Sequence, residues 1–368
     1  MKLVVPKEIT IGENRVGVTP DSVPSLKKMG FDVFVESDAG LASSFTNEDY
    51  KKAGAKISSK TNDLYKNAKV VVKIQRPQNL NKINEFKHIK QCSILSLVYE
   101  QKFKSEFLNL KKLNVNVFAL EKMPRISRAQ SMDVLSSQSN LSGYKAVIDA
   151  ASMFNKAFPL MMTSAGTVAP AKVLVIGAGV AGLQAIATAK RLGSVVSAFD
   201  VRSATKEQVE SLGAKFVNIE SNESGETAGG YAKEMSSSYK KKQAKLLEDT
   251  LKKMDIVITT ALVPGKKAPI LITKKMVEQM KVGSIIIDLA SEFGGNCELT
   301  KHNAEVLHKS VKIVGPLNLA STVSQDSSRL FSKNVLNFLM NSCESGKFKD
   351  FNFNDELVKD TCIINNLK

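Results

Sequence analysis

The sequence is poor in several residue types that mark particular classes of protein. Its 368 residues include no tryptophan, three histidines and four cysteines, and aromatic residues make up 6%. The cysteines are widely separated, without the spacing of a metal site, which is typical of reduced thiols in a cytoplasmic protein; they are Cys92, Cys297, Cys343 and Cys362. We therefore expect neither a disulfide framework nor a bound metal.

Long apolar segments are also missing. No stretch reaches the roughly 18 uncharged apolar residues that mark a membrane-spanning helix. Near the N-terminus, Pro6 and the charged Lys7 and Glu8 interrupt the first apolar residues, which leaves no core for a signal peptide. We expect a cytoplasmic chain that does not itself insert into the membrane.

The balance of charge is strongly basic. Lysine and arginine number 52 against 36 acidic residues, a net charge of +16, which first suggests a nucleic acid as partner. However, the lysines are scattered in groups such as Lys27-Lys28, the longest run covers residues 240–242, and they do not interleave with aromatic residues as base-stacking platforms would. We interpret the charge as a solvated surface and expect no nucleic acid partner; a face that docks on an acidic membrane surface or subunit is the alternative.

Short apolar runs alternate with helical stretches along the whole chain, which predicts an α/β protein with parallel sheets. Strands are predicted at residues 3–5, 33–35, 70–74, 93–97 and 115–120, and then at 172–177, 195–200, 215–217, 256–260, 284–289 and 312–314. Helices are predicted at about 20–30, 131–158, 183–192 and 321–343. The polar segment 218–253 predicts a mobile loop followed by a helix.

The length and this pattern predict two Rossmann-like domains. Residues 1–135 with 330–368 are expected to form an N-terminal α/β domain, and residues 136–329 a second Rossmann domain. We expect the helices at 131–158 and 321–343 to join the domains and to leave a cleft between them. Rossmann sheets bind ligands at the carboxyl ends of their strands, so the cleft is the expected ligand site.

A glycine-rich turn follows the apolar run at residues 173–176 and precedes a predicted helix. It reads Gly177-Ala178-Gly179-Val180-Ala181-Gly182, the G-x-G-x-x-G pattern of dinucleotide sites. Gly177 allows the tight turn, Gly179 lets the backbone approach the pyrophosphate, and Gly182 lets the helix pack close to the strand. The N–H groups and partial positive charge of the helix N-terminus attract the phosphates.

An acidic residue stands where the ribose of such a dinucleotide is recognised. Asp200 ends the next predicted strand, 18 residues after Gly182. Its carboxylate can accept hydrogen bonds from the ribose hydroxyls and would repel a 2′-phosphate, so the pattern favours NAD(H) over NADP(H). Arg202 is the opposing signal, because an arginine there can accommodate the extra phosphate. We expect residues 136–329 to be an NAD(H)-binding domain.

Longer motifs resemble a known family. Residues 12–20 read GENRVGVTP, and residues 123–133 read MPRISRAQSMD, followed by SSQSN at 136–140. The first motif resembles the opening of the alanine dehydrogenase/transhydrogenase superfamily. The second resembles the signature of the NAD(H)-binding domain I of proton-translocating NAD(P) transhydrogenases. The likeness covers nearly the whole chain and extends to the segments at 201–208, 227–235 and 259–265.

The resemblance implies direct hydride transfer between NAD(H) on this chain and NADP(H) on a partner domain, coupled to proton translocation by a separate membrane subunit. It also implies a homodimer that lies peripherally at the inner membrane, on the cytoplasmic side, through its partner subunits. It identifies Arg125, Gln130 and Asp133 as the catalytic residues that hold the nicotinamide.

Further cofactor contacts follow from the resemblance and the glycine motif together. The nicotinamide side adds Ile126, Ser127, Ser131, Met132 and Ser136; the pyrophosphate side has Gly177, Ala178, Gly179, Val180 and Gly182; the ribose side has Asp200, Val201 and Arg202. The resemblance assigns Gly230, Tyr231 and Gln243 to the mobile-loop region and Leu262 to the lining of the pocket.

An alanine dehydrogenase-like oxidoreductase is the alternative within the same superfamily. Oxidising an amine needs a proton acceptor beside the hydride donor, usually a histidine, and an anchor for the substrate carboxylate. Arg15 and Lys73 can anchor a carboxylate, but Leu97 stands where that enzyme has its histidine, and the three histidines lie in polar segments typical of the surface. Transfer between two nicotinamides needs no acid–base residue, which favours the transhydrogenase.

Several of these residues also have a purely structural interpretation. Arg125 and Asp133 can form an ion pair of small value across their own loop. Arg15 can brace its loop, and Tyr231 can be an ordinary loop residue. The whole chain can also be a non-catalytic NAD-sensing module, which would bind the cofactor without transferring hydride.

Overall fold

The computed structural model describes residues 1–80, 82–219, 235–263 and 266–367. The chain divides into two compact units, a first unit of residues 1–138 with 320–368 and a second unit of residues 139–319. The first boundary is close to the predicted one at 135/136, and the second lies before the predicted one at 329/330. Each unit has its own sheet and its own buried cores.

The first unit is built on a sheet that is parallel except at one edge. In spatial order its strands are Cys362–Asn365, Asn116–Ala119, Ser93–Leu97, Val70–Gln75, Lys2–Val5, Asp32–Glu36 and Lys56–Ser58. The central strands are buried because helices cover both faces, which explains their continuous apolar runs. The edge strands Lys56–Ser58 and Cys362–Asn365 were not predicted; the second runs antiparallel to its neighbour.

Helices of the first unit pack on this sheet. They are Val23–Lys28, Asn47–Ala53, Thr61–Tyr65, Lys104–Lys111, Ser324–Asn341 and Glu356–Thr361. The helix predicted at 20–30 begins as a 3₁₀ turn at Pro20–Ser22. The helix predicted at 321–343 is a short helix, Leu319–Thr322, followed by Ser324–Asn341; the two are separated at Val323, whose ψ of 49° is not helical.

The long helix predicted at 131–158 is Val134–Met153, and it contains the boundary between residues 138 and 139. By contrast, Ser324–Asn341 lies wholly within the first unit. It belongs there because it buries Phe331, Val335 and Phe338 in the core of that unit. These three side chains recur at spacings of three and four residues, so they lie on one face of the helix.

The second unit has a doubly wound sheet. In spatial order its strands are Lys215–Phe216, Val195–Phe199, Lys172–Ile176, Ile256–Thr259, Ile285–Asp288, Val311–Gly315 and Ala304–His308. The sheet is parallel except for the last pair, and the unpredicted edge strand Ala304–His308 is antiparallel. The strand order reverses between Lys172–Ile176 and Ile256–Thr259, which is the switch point where such sheets bind ligands.

The remaining helices of the second unit lie between these strands. They are Val180–Arg191, Thr205–Ser211, Ser237–Leu251 and Lys274–Val277. The helix expected after the polar segment is therefore present from Ser237, whereas residues 220–234 lie outside the described ranges. An exposed antiparallel hairpin joins Met161–Thr163 to Gly166–Val168. The two sheets confirm the predicted class of two Rossmann-like α/β domains.

None of the helices formed by the described residues has the length and apolar character that crossing a membrane requires. Within the same ranges, no group of histidine, cysteine and acidic side chains is arranged to hold a metal ion.

Candidate dinucleotide-binding site

The three glycines of the turn differ in what a side chain would meet at each position. Gly177 has a φ of +98°, and a Cβ there would lie 2.5 Å from Thr260 Oγ1. A Cβ on Gly182 would lie 1.8 Å from the carbonyl oxygen of Gly177, so only glycine allows this contact between helix and strand. At Gly179, by contrast, a Cβ would meet nothing within 4 Å. The protein itself does not require glycine at this position, whereas a ligand approaching the backbone would.

The turn leads directly into helix Val180–Arg191, for which Gly179 is the N-cap. No side chain caps this end of the helix, so its partial positive charge beside Gly179 is not offset by a capping group. Helix Val134–Met153 approaches it closely, because a Cβ on Gly143 would lie 2.1 Å from the carbonyl oxygen of Ala181. Gly143 therefore fixes the position of this helix N-terminus, although no motif in the sequence marks it.

Asp200 lies just after strand Val195–Phe199 and is 8% exposed. Its Oδ2 accepts a hydrogen bond from the Ala178 N–H at 2.7 Å, which ties it to the glycine turn. Its Oδ1 accepts from the backbone N–H of Arg202 at 2.9 Å. The Ala178 amide, expected at the pyrophosphate, is therefore engaged by Asp200, and Val201 between the two polar residues is half-buried.

Leu262 follows strand Ile256–Thr259 at the switch point and is 41% exposed. The segment that carries it is fixed by the side chain of Asn296, whose Oδ1 accepts from Ala261 N at 3.0 Å and whose Nδ2 donates to Ala261 O at 2.8 Å. Asn296 is held in turn by Asp288, which accepts from its backbone N–H at 2.7 Å. These two residues were not singled out from the sequence, although an aspartate that ends a buried strand, as in Ile285–Asp288, is a recognisable signal.

Three residues assigned to the mobile-loop region have different outcomes. Gln243 is not in a loop: it lies within helix Ser237–Leu251 and is 7% exposed, because it falls on the same buried face as Tyr239 and Leu247. Gly230 and Tyr231 lie outside the described residues, so their assignment stays a prediction.

The proposed nicotinamide residues lie in one segment of the first unit. A 3₁₀ helix at Ser127–Met132 leads into helix Val134–Met153, and Ala129 and Met132 are buried beneath it. The side chains of Arg125, Ile126, Ser127, Gln130 and Ser131 are exposed, whereas those of Asp133 and Ser136 are half-buried. We refer to residues 125–133 as the nicotinamide loop, after the role that the resemblance gives them.

Asp133 caps the helix that follows the loop. Its Oδ1 accepts from the Ser136 N–H at 2.9 Å, and its Oδ2 accepts from the Ser136 hydroxyl at 2.6 Å. An aspartate at this position satisfies one of the unpaired N–H groups of the helix and is favoured by the helix dipole. Asp133 and Ser136, each of which was predicted to contact the cofactor, are thus in direct contact with each other.

The loop has a second anchor at its other side. Arg128 forms a bidentate ion pair with Asp355, at 2.9 and 2.8 Å, and also contacts Glu356 at 3.0 Å. Asp355 caps helix Glu356–Thr361 by accepting from Leu357 N at 2.8 Å. The hydrogen bonds to Arg128 hold the pKa of the Asp355 carboxyl low, at about 2, so this anchor stays charged in acid well below neutral pH.

The residues that an amino acid dehydrogenase would use as carboxylate anchors are buried in internal pairs. Arg15 is 4% exposed and binds Glu13 through Nε at 2.7 Å and Nη2 at 2.6 Å. Lys73 is fully buried, with Nζ 2.5 Å from Glu85 and 3.5 Å from Glu8. Neither cation therefore offers an exposed surface to a substrate.

The surroundings of Leu97 supply no proton acceptor of the expected kind. Leu97 ends strand Ser93–Leu97 and is 6% exposed. The histidines lie elsewhere: His88 stacks on Tyr65, His302 contacts Ser291, and His308 contacts Glu278. All three are half-buried or exposed, as the sequence analysis predicted.

The glycine turn, the acidic strand end and the doubly wound sheet define an α/β protein of the Rossmann class with a dinucleotide-binding motif. The chain belongs to the alanine dehydrogenase/PNT family: the N-terminal domain of that family matches residues 4–142 and its C-terminal domain matches residues 146–368. The resemblance predicted from the motifs is confirmed.

Individual relatives divide between two activities. An NAD(P) transhydrogenase alpha subunit of Rhodospirillum rubrum is 52% identical over 368 residues, covering 99% of this chain and 96% of the relative. A crystal structure of transhydrogenase from Sinorhizobium meliloti is 44% identical, with a TM-score of 0.89 over 99% of this chain and 98% of that chain. Alanine dehydrogenase of Staphylococcus haemolyticus is 32% identical over 308 residues, which cover 82% of this chain and 74% of the relative.

Proposed function

We propose that this chain is the NAD(H)-binding subunit of a proton-translocating NAD(P) transhydrogenase. It exchanges a hydride directly between its own NAD(H) and NADP(H) bound to a partner domain. The observation that carries the proposal is the open space at Gly179, beside a helix N-terminus and next to the buried carboxylate of Asp200. The identity of 52% to a transhydrogenase subunit over nearly its whole length favours this function within the family.

The charges of the described residues and the open space at Gly179 support NAD as the ligand. The N-terminus of helix Val180–Arg191 suits the pyrophosphate, and Gly179 lets the backbone come close to it. Asp200, with Val201 and Arg202, suits the adenosine ribose, and the exposed Leu262 suits the wall of the pocket. When bound, the nicotinamide supplies a hydride at its C4 atom.

Direct hydride transfer depends on how the two nicotinamides are aligned and needs no acid–base group. Hydride transfer requires the two nicotinamide C4 atoms to approach within about 3–3.5 Å in an aligned arrangement. The nicotinamide carboxamide offers an acceptor oxygen and a donor NH₂. Arg125 can donate to the oxygen, Gln130 can serve either end, and Asp133 can accept from the NH₂. In this proposal these three residues orient the ring, and no histidine is needed.

The partners belong to the same proposal. Coupling to proton translocation requires an NADP(H)-binding domain and membrane subunits, through which this chain is held peripherally at the cytoplasmic face of the inner membrane. We also propose a homodimer. The hairpin at Met161–Thr163 and Gly166–Val168 supports it, because Met162 is 84% exposed and Leu160 57% exposed, and exposed apolar patches mark interaction surfaces.

Loop variants test the proposed function. Arg125→Ala and Asp133→Asn should each lower the single-turnover rate of hydride transfer to the NADP(H)-binding partner by at least about tenfold, about 1.4 kcal/mol of lost positioning. NADH affinity should weaken much less, because the contacts at Gly179 and Asp200 remain. Asp133→Asn is informative because asparagine also caps helices well, so the helix is preserved while the charge is lost.

Arg329→Ala is the matched control. Arg329 is another exposed arginine of the first unit, paired with Asp21 at 3.2 Å, and we expect this variant to transfer hydride at the wild-type rate. Wild-type rates in both loop variants would show that the nicotinamide loop is structural and would overturn the assignment of Arg125, Gln130 and Asp133.

A further inference from the structure

Asn334 touches the polypeptide on both sides of Asp133. It lies on helix Ser324–Asn341 and is 8% exposed. Its Nδ2 donates to the carbonyl oxygen of Ser131 at 2.8 Å, and its Oδ1 accepts from the hydroxyl of Ser137 at 2.7 Å. One carboxamide therefore joins the end of the nicotinamide loop to the first turn of the following helix.

Two further asparagines extend this contact along the same helix. Asn337 also donates to the Ser131 carbonyl, at 3.0 Å, and Asn341 donates to Asp355 at 3.1 Å, the residue that pairs with Arg128. Positions 334, 337 and 341 are three and four residues apart, so they lie on one face of the helix. This face holds the loop at Ser131 directly and at Arg128 through Asp355.

We propose that Asn334 is a positioning residue for hydride transfer, acting through the nicotinamide loop rather than by touching the cofactor. This inference rests on the proposed function and adds a residue that fixes the loop. Asparagine suits the position because it offers a donor and an acceptor at once, whereas aspartate offers only acceptors and leucine neither. Asn334 holds Ser131 and Ser137, and it thereby fixes the end of the nicotinamide loop. The backbone that carries the exposed side chains of Arg125 and Gln130 therefore keeps a defined position.

The inference predicts an effect on rate that is larger than the effect on affinity. A displacement of about 1 Å in a positioning group can cost roughly 100-fold in rate. Affinity for NADH depends mainly on the phosphate and ribose contacts at Gly179 and Asp200, which Asn334 does not touch. A residue that merely stabilises the fold would change neither quantity in the folded protein.

Asn334→Leu and Asn334→Asp test this in the full chain, with the NADP(H)-binding partner supplied. We expect each variant to slow single-turnover hydride transfer by about tenfold or more, while the Kd for NADH changes by less than about threefold. In the chain without NADH, amide hydrogen exchange should rise in residues 125–137 and stay unchanged in the glycine turn. Val335→Ala is the control: it removes a buried core contact one residue along and should lower stability without slowing transfer.

A double-mutant cycle separates positioning from a general effect. If Asn334 acts through the end of the nicotinamide loop, adding Asn334→Leu should lower the rate of the Asp133→Asn variant much less than it lowers the rate of the wild type. The reason is that both changes remove the same alignment of the cofactor. Additive losses, or a wild-type rate and wild-type exchange in Asn334→Leu, would overturn the inference. If neither Asn334 variant folds, Asn337→Leu replaces them, with a loss of about threefold expected and unchanged rate and exchange contradicting it.

Failure of the inference about Asn334 can be distinguished from failure of the proposed function. If the wild-type chain transfers no hydride, or if Arg125→Ala and Asp133→Asn are both as fast as the wild type, the function or its loop assignment fails. If those two variants are slow and the Asn334 variants are not, only the role of Asn334 is overturned.

Discussion

Arg202 forms a bidentate ion pair with Asp200, which lies two residues before it in the sequence. The guanidinium Nη2 lies 2.8 Å from Oδ2, and Nε lies 2.9 Å from Oδ1. The pair is mostly buried, with the arginine side chain 15% exposed. Because these two donors are directed to Asp200, the arginine is held by the carboxylate rather than directed to a 2′-phosphate. We therefore expect Asp200 and Arg202, whose sequence signals opposed each other, to favour NAD(H) together.

This pairing predicts the nucleotide preference. The wild-type chain should bind NADH more tightly than NADPH, and Asp200→Asn should narrow the preference by about tenfold or more, because it removes a negative charge and releases the guanidinium of Arg202. Fluorescence titration with both nucleotides measures the two values of Kd. Adding Arg202→Leu to Asp200→Asn should cancel the gain in NADPH affinity. Equal affinities in the wild type would contradict the prediction.

The glycine turn gives a pair of matched substitutions. Gly179→Ala should fold with nearly wild-type stability, because its Cβ meets nothing within 4 Å, yet it should weaken NADH binding by about tenfold through contact with the pyrophosphate. Gly182→Ala should instead lower the free energy of unfolding by several kcal/mol, because its Cβ would overlap the carbonyl of Gly177. Urea unfolding and NADH titration of both variants measure these effects. Unchanged NADH affinity in Gly179→Ala would argue against the pyrophosphate assignment.

The sequence predicted the strands that are buried on both faces of their sheet. Strands such as Lys172–Ile176 and Ile256–Thr259 are covered on both faces, so their apolar runs are continuous and recognisable. The edge strands Lys56–Ser58 and Ala304–His308 contain no fully buried residue and no continuous apolar run, so they resemble loops in the sequence. Edge pairing depends on the neighbouring strand, which a local pattern does not contain.

The same distinction applies to the site. The glycine turn and Asp200 are close in the sequence and were recognised together, whereas Asn334 holds Ser131 from 203 residues away. Arg128 and Asp355, which anchor the other side of the loop, are 227 residues apart. Such contacts arise from the packing of helix Ser324–Asn341 and the segment after it, and no spacing rule predicts them.

The burial of Arg15 and Lys73 predicts that the isolated chain lacks alanine dehydrogenase activity. Both cations are paired with internal glutamates, and the buried Leu97 cannot accept a proton. Oxidation of NADH should therefore not depend on pyruvate and ammonia, as an absorbance assay at the nicotinamide band measures. A heat-treated sample supplies the background. Pyruvate-dependent oxidation above that background would favour the dehydrogenase alternative.

The buried charge cluster also predicts how stability varies with pH. Burial raises the pKa of Glu8 to about 7 from an ordinary 4.5, although Lys73 opposes this rise and Glu13 and Glu85 add to it. The folded chain thus holds a proton that the unfolded chain releases. The resulting stabilisation is fully present below about pH 4.5 and is lost as the pH rises through about 7, and its size is on the order of 3 kcal/mol.

Urea unfolding at pH 5, 6, 7 and 8 checks this prediction. The free energy of unfolding should fall with pH more steeply in the wild type than in Glu8→Gln, which keeps an acceptor for the Ile74 N–H but cannot ionise. Glu48→Gln changes a surface glutamate with a side chain 66% exposed and should keep the wild-type slope. Identical slopes in the wild type and Glu8→Gln would show that Glu8 ionises normally in the fold.

Direct hydride transfer without an acid–base residue is the central claim, and isotope transfer tests it most directly. The chain is mixed with its NADP(H)-binding partner, NADP⁺ and NADH deuterated at C4 on the transferred face, and the NADPH formed is analysed by mass spectrometry. The account predicts NADPH that carries the deuterium, with none lost to solvent water. NADPH formed without the deuterium, or no NADPH at all, would contradict it.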